Sequence, residues 1–206
     1  MNNNNEFVDI FERRLCEYTG APYAIAVDRC TNAILLCLEY LTRYGNMPRH
    51  TINVPANTYI SVPMTLMNYG YAVNLIDLPW VGHYQIGDTK VYDYAVGFDR
   101  DMFVPGQIQC LSFQQKKRLA IGKGGAILTD DHNLATALKR LRHDGRDSAL
   151  PVVDDTITMC GYHMYMSPDE AAKGILLINQ PLPPYNPGSY VDYPDSRKIE
   201  CMKEPK

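Results

Sequence analysis

The sequence predicts an α/β fold, a mostly parallel sheet flanked by helices. Short apolar runs alternate along the chain with segments whose apolar residues recur at helical spacing. Breakers such as Gly45 and Pro55 separate them. With 206 residues, 46% apolar and 21% charged, the chain is long enough to bury one substantial core.

Residues 23–27 (Tyr-Ala-Ile-Ala-Val) read as a buried strand that turns through Asp28-Arg29-Cys30 into a helix over about 31–44. The Thr31 hydroxyl is its expected cap and Gly45 its end. A strand at 51–54 stops at Pro55, a helix follows over about 59–68, and 71–76 is the next strand. Further strands are expected at 90–92, 108–113 and 126–129. Residues 131–142 carry Leu134, Ala137, Leu138 and Leu141 on one helical face. Residues 168–179 form another helix, opened by Ser167 with Glu170 in a capping-box pattern. Beyond Gln180 the prolines Pro181, Pro183, Pro184, Pro187 and Pro194 predict an extended arm. The expected organisation is a frayed polar tail at 1–6, an α/β domain at 7–180 and a proline-rich arm at 181–206.

A net charge of −3 argues against nucleic acid or an anionic membrane as partner. The six cysteines lack metal-ligand spacing, so no metal is expected and they read as reduced thiols of a cytoplasmic protein. No apolar run reaches membrane length, and the Met1-Asn2-Asn3-Asn4-Asn5 start does not read as a signal peptide.

In α/β sheets, ligands sit beyond the carboxyl ends of the strands. Thr31, Asn32, Tyr59, Asp93, Ser112 and Lys117 all fall at such ends or just past them. Lys117 lies between two expected strands, where desolvation favours the neutral amine, a nucleophile that forms Schiff bases with carbonyls. Taken alone it reads first as a solvated surface charge, as most lysines are. Asp93 follows a strand among apolar neighbours, where a carboxylate needs a partner.

These positions share an ordered set of motifs with one family. Ser112-Phe113, then Lys117, then Gly122-Lys123-Gly124-Gly125 resemble the cofactor-lysine segment of the DegT/DnrJ/EryC1/StrS family of sugar aminotransferases. Asp28-Arg29-Cys30-Thr31-Asn32-Ala33 resembles that family's phosphate-binding turn, and Pro55-Ala56-Asn57-Thr58-Tyr59-Ile60 the segment whose ring stacks on the cofactor. Val91-Tyr92-Asp93-Tyr94-Ala95 resembles the stretch that supplies the acid opposite the pyridine nitrogen, and 141–146 the family's Arg-x-His-Gly region.

The resemblance implies an aspartate-aminotransferase-like (fold type I) large domain in reduced form, with pyridoxal 5'-phosphate (PLP) on Lys117. It implies Asp93 at the ring nitrogen, Tyr59 stacked, Thr31, Asn32 and Ser112 at the phosphate, and His163 contributed across a homodimer. It further implies transfer of an amino group from glutamate or glutamine to a keto sugar, linked to a nucleotide. The departures are Cys30 for a usual glycine, Val96 for a cofactor-contacting polar residue, His163 for an asparagine and Tyr165 for an arginine. Residues 78–92 replace a long family segment, and most of the customary C-terminal domain has no counterpart. Alternatives are a catalytically impaired partner subunit and a PLP enzyme acting on a small amino acid. A sugar-dehydrating relative is disfavoured, because that branch replaces the lysine by histidine.

Overall fold

The computed structural model describes residues 6–48 and 50–202. The expected tail at 1–6 lies outside these residues except for Glu6, which opens the first helix. The helices are α1 (Glu6–Thr19), α2 (Cys30–Arg43), α3 (Ser61–Asn68), α4 (His132–Leu141) and α5 (Pro168–Ile178). The strands are β1 (Tyr23–Val27), β2 (Ile52–Pro55), β3 (Val73–Ile76), β4 (Tyr84–Gln85), β5 (Val91–Asp93), β6 (Ile108–Ser112) and β7 (Gly125–Thr129).

Five strands form one sheet in the order β1-β7-β6-β5-β4, and β2 pairs with β3 in parallel as a separate sheet. The α/β class and the flanking helices agree with the sequence reading. The expected parallelism does not: within the five-stranded sheet only β5 and β6 are parallel, and the other pairs are antiparallel. The connections explain why. A parallel return needs a crossover, usually a helix, and no helix joins β6 to β7 or β4 to β5. Both pairs fold straight back. Since β7 runs against both β1 and β6, the strands β1, β5 and β6 still point the same way, and their carboxyl ends share one edge.

Each face of the sheet is buried by its own helices. Ile25, Val27, Ile127, Ile108 and Cys110 pack with α2 and α4 on one side. Ala24, Ala26, Ala126, Leu128 and Leu111 meet Val8, Phe11 and Leu15 of α1 and Ala171 and Ile178 of α5 on the other. That period-2 alternation is what a sheet covered on both faces requires. Helix α1 was not anticipated, and it does more than pack. β1 is an edge strand, and an edge leaves backbone groups unpaired. Glu12 accepts the Ala26 N–H (2.9 Å), and Arg142 donates to the Ala26 carbonyl and to Glu12. Lys139 pairs with the other Glu12 oxygen at 2.8 Å. The α5 capping box forms as expected.

The arm runs back over the body. Gly82 N–H donates to the Gly188 carbonyl (2.8 Å), Tyr190 N–H to that of Trp80 (3.1 Å), and Ser196 N–H to that of Ala56 (2.8 Å). Arg118 donates to the Pro183 carbonyl (2.7 Å) and Arg197 to Asp77 (2.6 Å), fixing both ends. No helix among the described residues is long and apolar enough to cross a membrane.

Candidate active site at the carboxyl edge

Val27, Asp93 and Ser112 end the three like-directed strands, and Gly125 opens β7 opposite both Val27 and Ser112. The loop between β6 and β7 therefore emerges at this edge, carrying Lys117 in a turn closed by its N–H to the Gln114 carbonyl (2.8 Å). The glycines of that loop have separate reasons. Gly122 (φ +115°) and Gly124 (φ +123°) adopt backbone conformations open to glycine. A Cβ on Gly125 would lie 2.5 Å from Cys30 N and 2.7 Å from the Leu111 carbonyl oxygen, so only glycine lets α2 begin against the sheet here.

Helix α2 starts one residue earlier than expected, after an extended Arg29, and no side chain caps it. The Thr31 hydroxyl is turned to Ser61 Oγ (2.7 Å) instead of the helix end, and Asn32 donates to Asp28 (2.8 Å). The first-turn N–H groups of α2 thus have no side-chain cap, at the positive end of the helix dipole. Cys30 needs no glycine-like conformation: it is already helical and follows a fully extended residue.

Asp93 is 5% exposed and lines a small cleft together with Thr58, Tyr59, Trp80, Tyr84, Ala95, Val96 and Tyr193. Its Oδ2 accepts the Tyr84 hydroxyl (2.7 Å) and its Oδ1 the Ala95 N–H (2.8 Å). Cys30 Sγ lies 3.8 Å from Oδ1 and 3.5 Å from the Cys110 carbonyl, with one proton to serve either. Burial raises the Asp93 carboxyl above the usual range, while Tyr84, Ala95, Lys117 and Cys30 pull it back. Burial, and then the Asp93 charge, push the Cys30 thiol well up, so it stays protonated. Among the described residues no cation forms an ion pair with Asp93; Lys117 acts on it through space.

Of the residues singled out from sequence, Asp93 and Tyr59 share the cleft, and Lys117, Ser112 and the start of α2 with Thr31 and Asn32 surround the same edge. Tyr59 is 62% exposed, edge-on to Tyr193. His163 is not part of that cleft. Its side chain is 71% exposed, bonded to Asp144 (3.0 Å) and Tyr165 (3.1 Å). Sequence reasoning missed Thr58, Trp80, Tyr84 and Tyr193 as cleft residues. Among 15 tyrosines nothing marks these two: Tyr84 arrives through a two-residue strand with little pattern of its own, and Tyr193 through a contact distant in sequence.

The sequence matches the model of the DegT/DnrJ/EryC1/StrS aminotransferase family over residues 2–85 and 100–179. Asp93 falls in the unmatched stretch between. No curated protein matches the chain. Among solved structures it is similar to AtS13 from Actinomadura melliaura (TM-score 0.69, 16% identity, covering 84% of this chain and 60% of that one). It is also similar to PseC from Helicobacter pylori, an aminotransferase of pseudoaminic acid biosynthesis (TM-score 0.64, 14% identity, 84% and 57%). A third is the sugar aminotransferase CalS13 from Micromonospora echinospora (TM-score 0.67, 14% identity, 84% and 61%). The chain therefore spans about three-fifths of the length of the solved structures it resembles.

Proposed function

Because the chain belongs to the DegT/DnrJ/EryC1/StrS aminotransferase family, we propose that it is a PLP-dependent aminotransferase. The amino group would pass from glutamate or glutamine to a keto sugar linked to a nucleotide. The observation that carries this reading is the buried Asp93 carboxylate in a small cleft that Tyr59 also lines, with the uncapped start of α2 and the Lys117 loop at the same edge of the sheet.

The donor set fits the cofactor. An ionised carboxylate has about four lone-pair sites. Tyr84, Ala95 and Cys30 reach Asp93, which leaves room for a ring N–H. A buried acid whose pKa is raised by burial gains most from a cation set against it, and a protonated pyridine nitrogen is one. The α2 N-terminus, with Thr31, Asn32 and Ser112, suits a phosphate. Tyr59 supplies a flat face. Lys117 Nζ would be the attachment point and, once displaced by the amino donor, the base that moves the proton from the donor's α-carbon to the cofactor's aldehyde-derived carbon. When bound, PLP supplies the electron sink that stabilises the resulting carbanion. His163, exposed and outside its own cleft, suits a contribution to a second subunit in a cytoplasmic homodimer.

The test is a visible absorption spectrum of the protein with added PLP, for wild type and Lys117→Ala. A band that resists dialysis in the wild type and is missing from the variant supports the reading; identical spectra without bound chromophore reject it. Trp80 and Tyr193, which narrow the cleft, favour a second reading in which the substrate is a small amino acid. Product analysis with keto sugars and with small keto acids separates the two.

A further inference from the structure

Strand β4 is two residues long, yet it sets Tyr84 directly across from Asp93 in antiparallel register. The pairing is specific down to its protons. An ionised carboxylate only accepts, so the single Tyr84 proton goes to Asp93 Oδ2 at 2.7 Å. Thr58 Oγ1, 2.6 Å from the same phenol oxygen, must then be the donor to it. The result is a one-way chain, Thr58 to Tyr84 to Asp93, whose members are all buried. Neither Thr58 nor Tyr84 is needed there for packing alone, since valine and phenylalanine have the same shapes.

We infer that Tyr84, oriented by Thr58, is a positioning residue that fixes the Asp93 carboxylate in the cleft and keeps it ionised. This deepens the proposed function, in which Asp93 must stay charged to hold a proton on the ring nitrogen. A hydrogen bond to a charged group acts most strongly where water is excluded. The other groups facing Asp93 are the Cys30 thiol of α2, the Ala95 N–H, the Lys117 ammonium and the Tyr193 hydroxyl of the arm. Of these only Ala95 makes a short bond to it, and to the other oxygen. Nothing else among the described residues donates to Oδ2.

The experiment titrates the Asp93 carboxyl by carbon NMR in protein labelled at aspartate, without cofactor, and assigns the signal through Asp93→Asn. Tyr84→Phe is expected to raise its midpoint by about one to two pH units, the size of a lost charge-assisted hydrogen bond. Thr58→Val is expected to raise it by less, because the phenol remains but loses its orientation. A midpoint that moves in neither variant overturns the inference, even if wild type binds PLP. In PLP-loaded protein, the pH at which the visible band changes form is expected to shift in Tyr84→Phe. A wild type that takes no PLP, together with a shifted Asp93 midpoint, would reject the enzyme reading while leaving the Tyr84 assignment standing.

Discussion

Gly125→Ala tests the geometry of the edge most sharply, because its effect is steric alone. The residue is absent from those with positive φ, so alanine meets no backbone penalty there. The new methyl would sit 2.5 Å from Cys30 N, 2.6 Å from Arg29 C and 2.7 Å from the Leu111 carbonyl oxygen. All are backbone atoms, so no side chain can swing away; either α2 or β6 must shift. Overpacking of this kind costs roughly 1–3 kcal/mol. In a chain of this size that lowers the melting temperature by roughly 2–12 °C. Thermal unfolding followed by circular dichroism reads it, and PLP affinity is expected to fall as well, since the displaced atoms open the α2 N-terminus. An unchanged melting temperature with unchanged PLP binding would refute the argument that Gly125 exists to admit α2.

Three further predictions follow from the same contacts. Burial pushes Glu12 up, but Arg142 and Lys139 outweigh it and hold its carboxyl below the usual range. Its stabilisation is therefore full above the unfolded-state value, about 4.3, and is lost as pH falls through the lower folded value. Glu12→Gln should flatten this acid limb in denaturant titrations and, by leaving Arg142 buried without its partner, cost about 3–5 kcal/mol near neutral pH. Asp93→Asn should keep the fold, since the amide matches the shape, but weaken PLP retention on dialysis at least tenfold. Arg197→Ala should loosen only the far end of the arm, speeding proteolytic cleavage near 195–199 with little change in melting temperature, because exposed ion pairs contribute little and backbone bonds hold the rest.

Elements whose signal is local were readable in the sequence. β1, α2, β6, β7, α4 and α5 sit within two residues of their expected bounds, because apolar period, Pro55, Gly45 and the Ser167–Glu170 box act at short range. Helix α1 was overlooked although Val8, Phe11 and Leu15 have helical spacing, because buried Glu12 interrupts the apolar face and its reason, the edge of β1, is remote in sequence. Strand direction was misjudged for a similar reason: β6 and β7 look like any two strands until the missing crossover is noticed. At the site, motif residues such as Asp93 and Tyr59 were legible, while Tyr84 and Tyr193 were not. Tyr84 owes its place to a two-residue strand, and Tyr193 to an arm held by backbone bonds that any sequence can make. Thr31 looked like a cap, but Ser61 competes for its hydroxyl.

The measurement that bears most directly on the central claim is chemical trapping of the cofactor. Protein incubated with PLP is reduced with borohydride, digested, and mapped by mass spectrometry. Reduction fixes the Schiff base where it stands, so Lys116, Lys117 and Lys123 compete as labels within one short loop. Pyridoxyl phosphate on Lys117, with its neighbours unmodified, is the predicted result. Label spread over the exposed lysines, or settled on Lys116 or Lys123, would contradict the assignment of Lys117 and of the edge it serves.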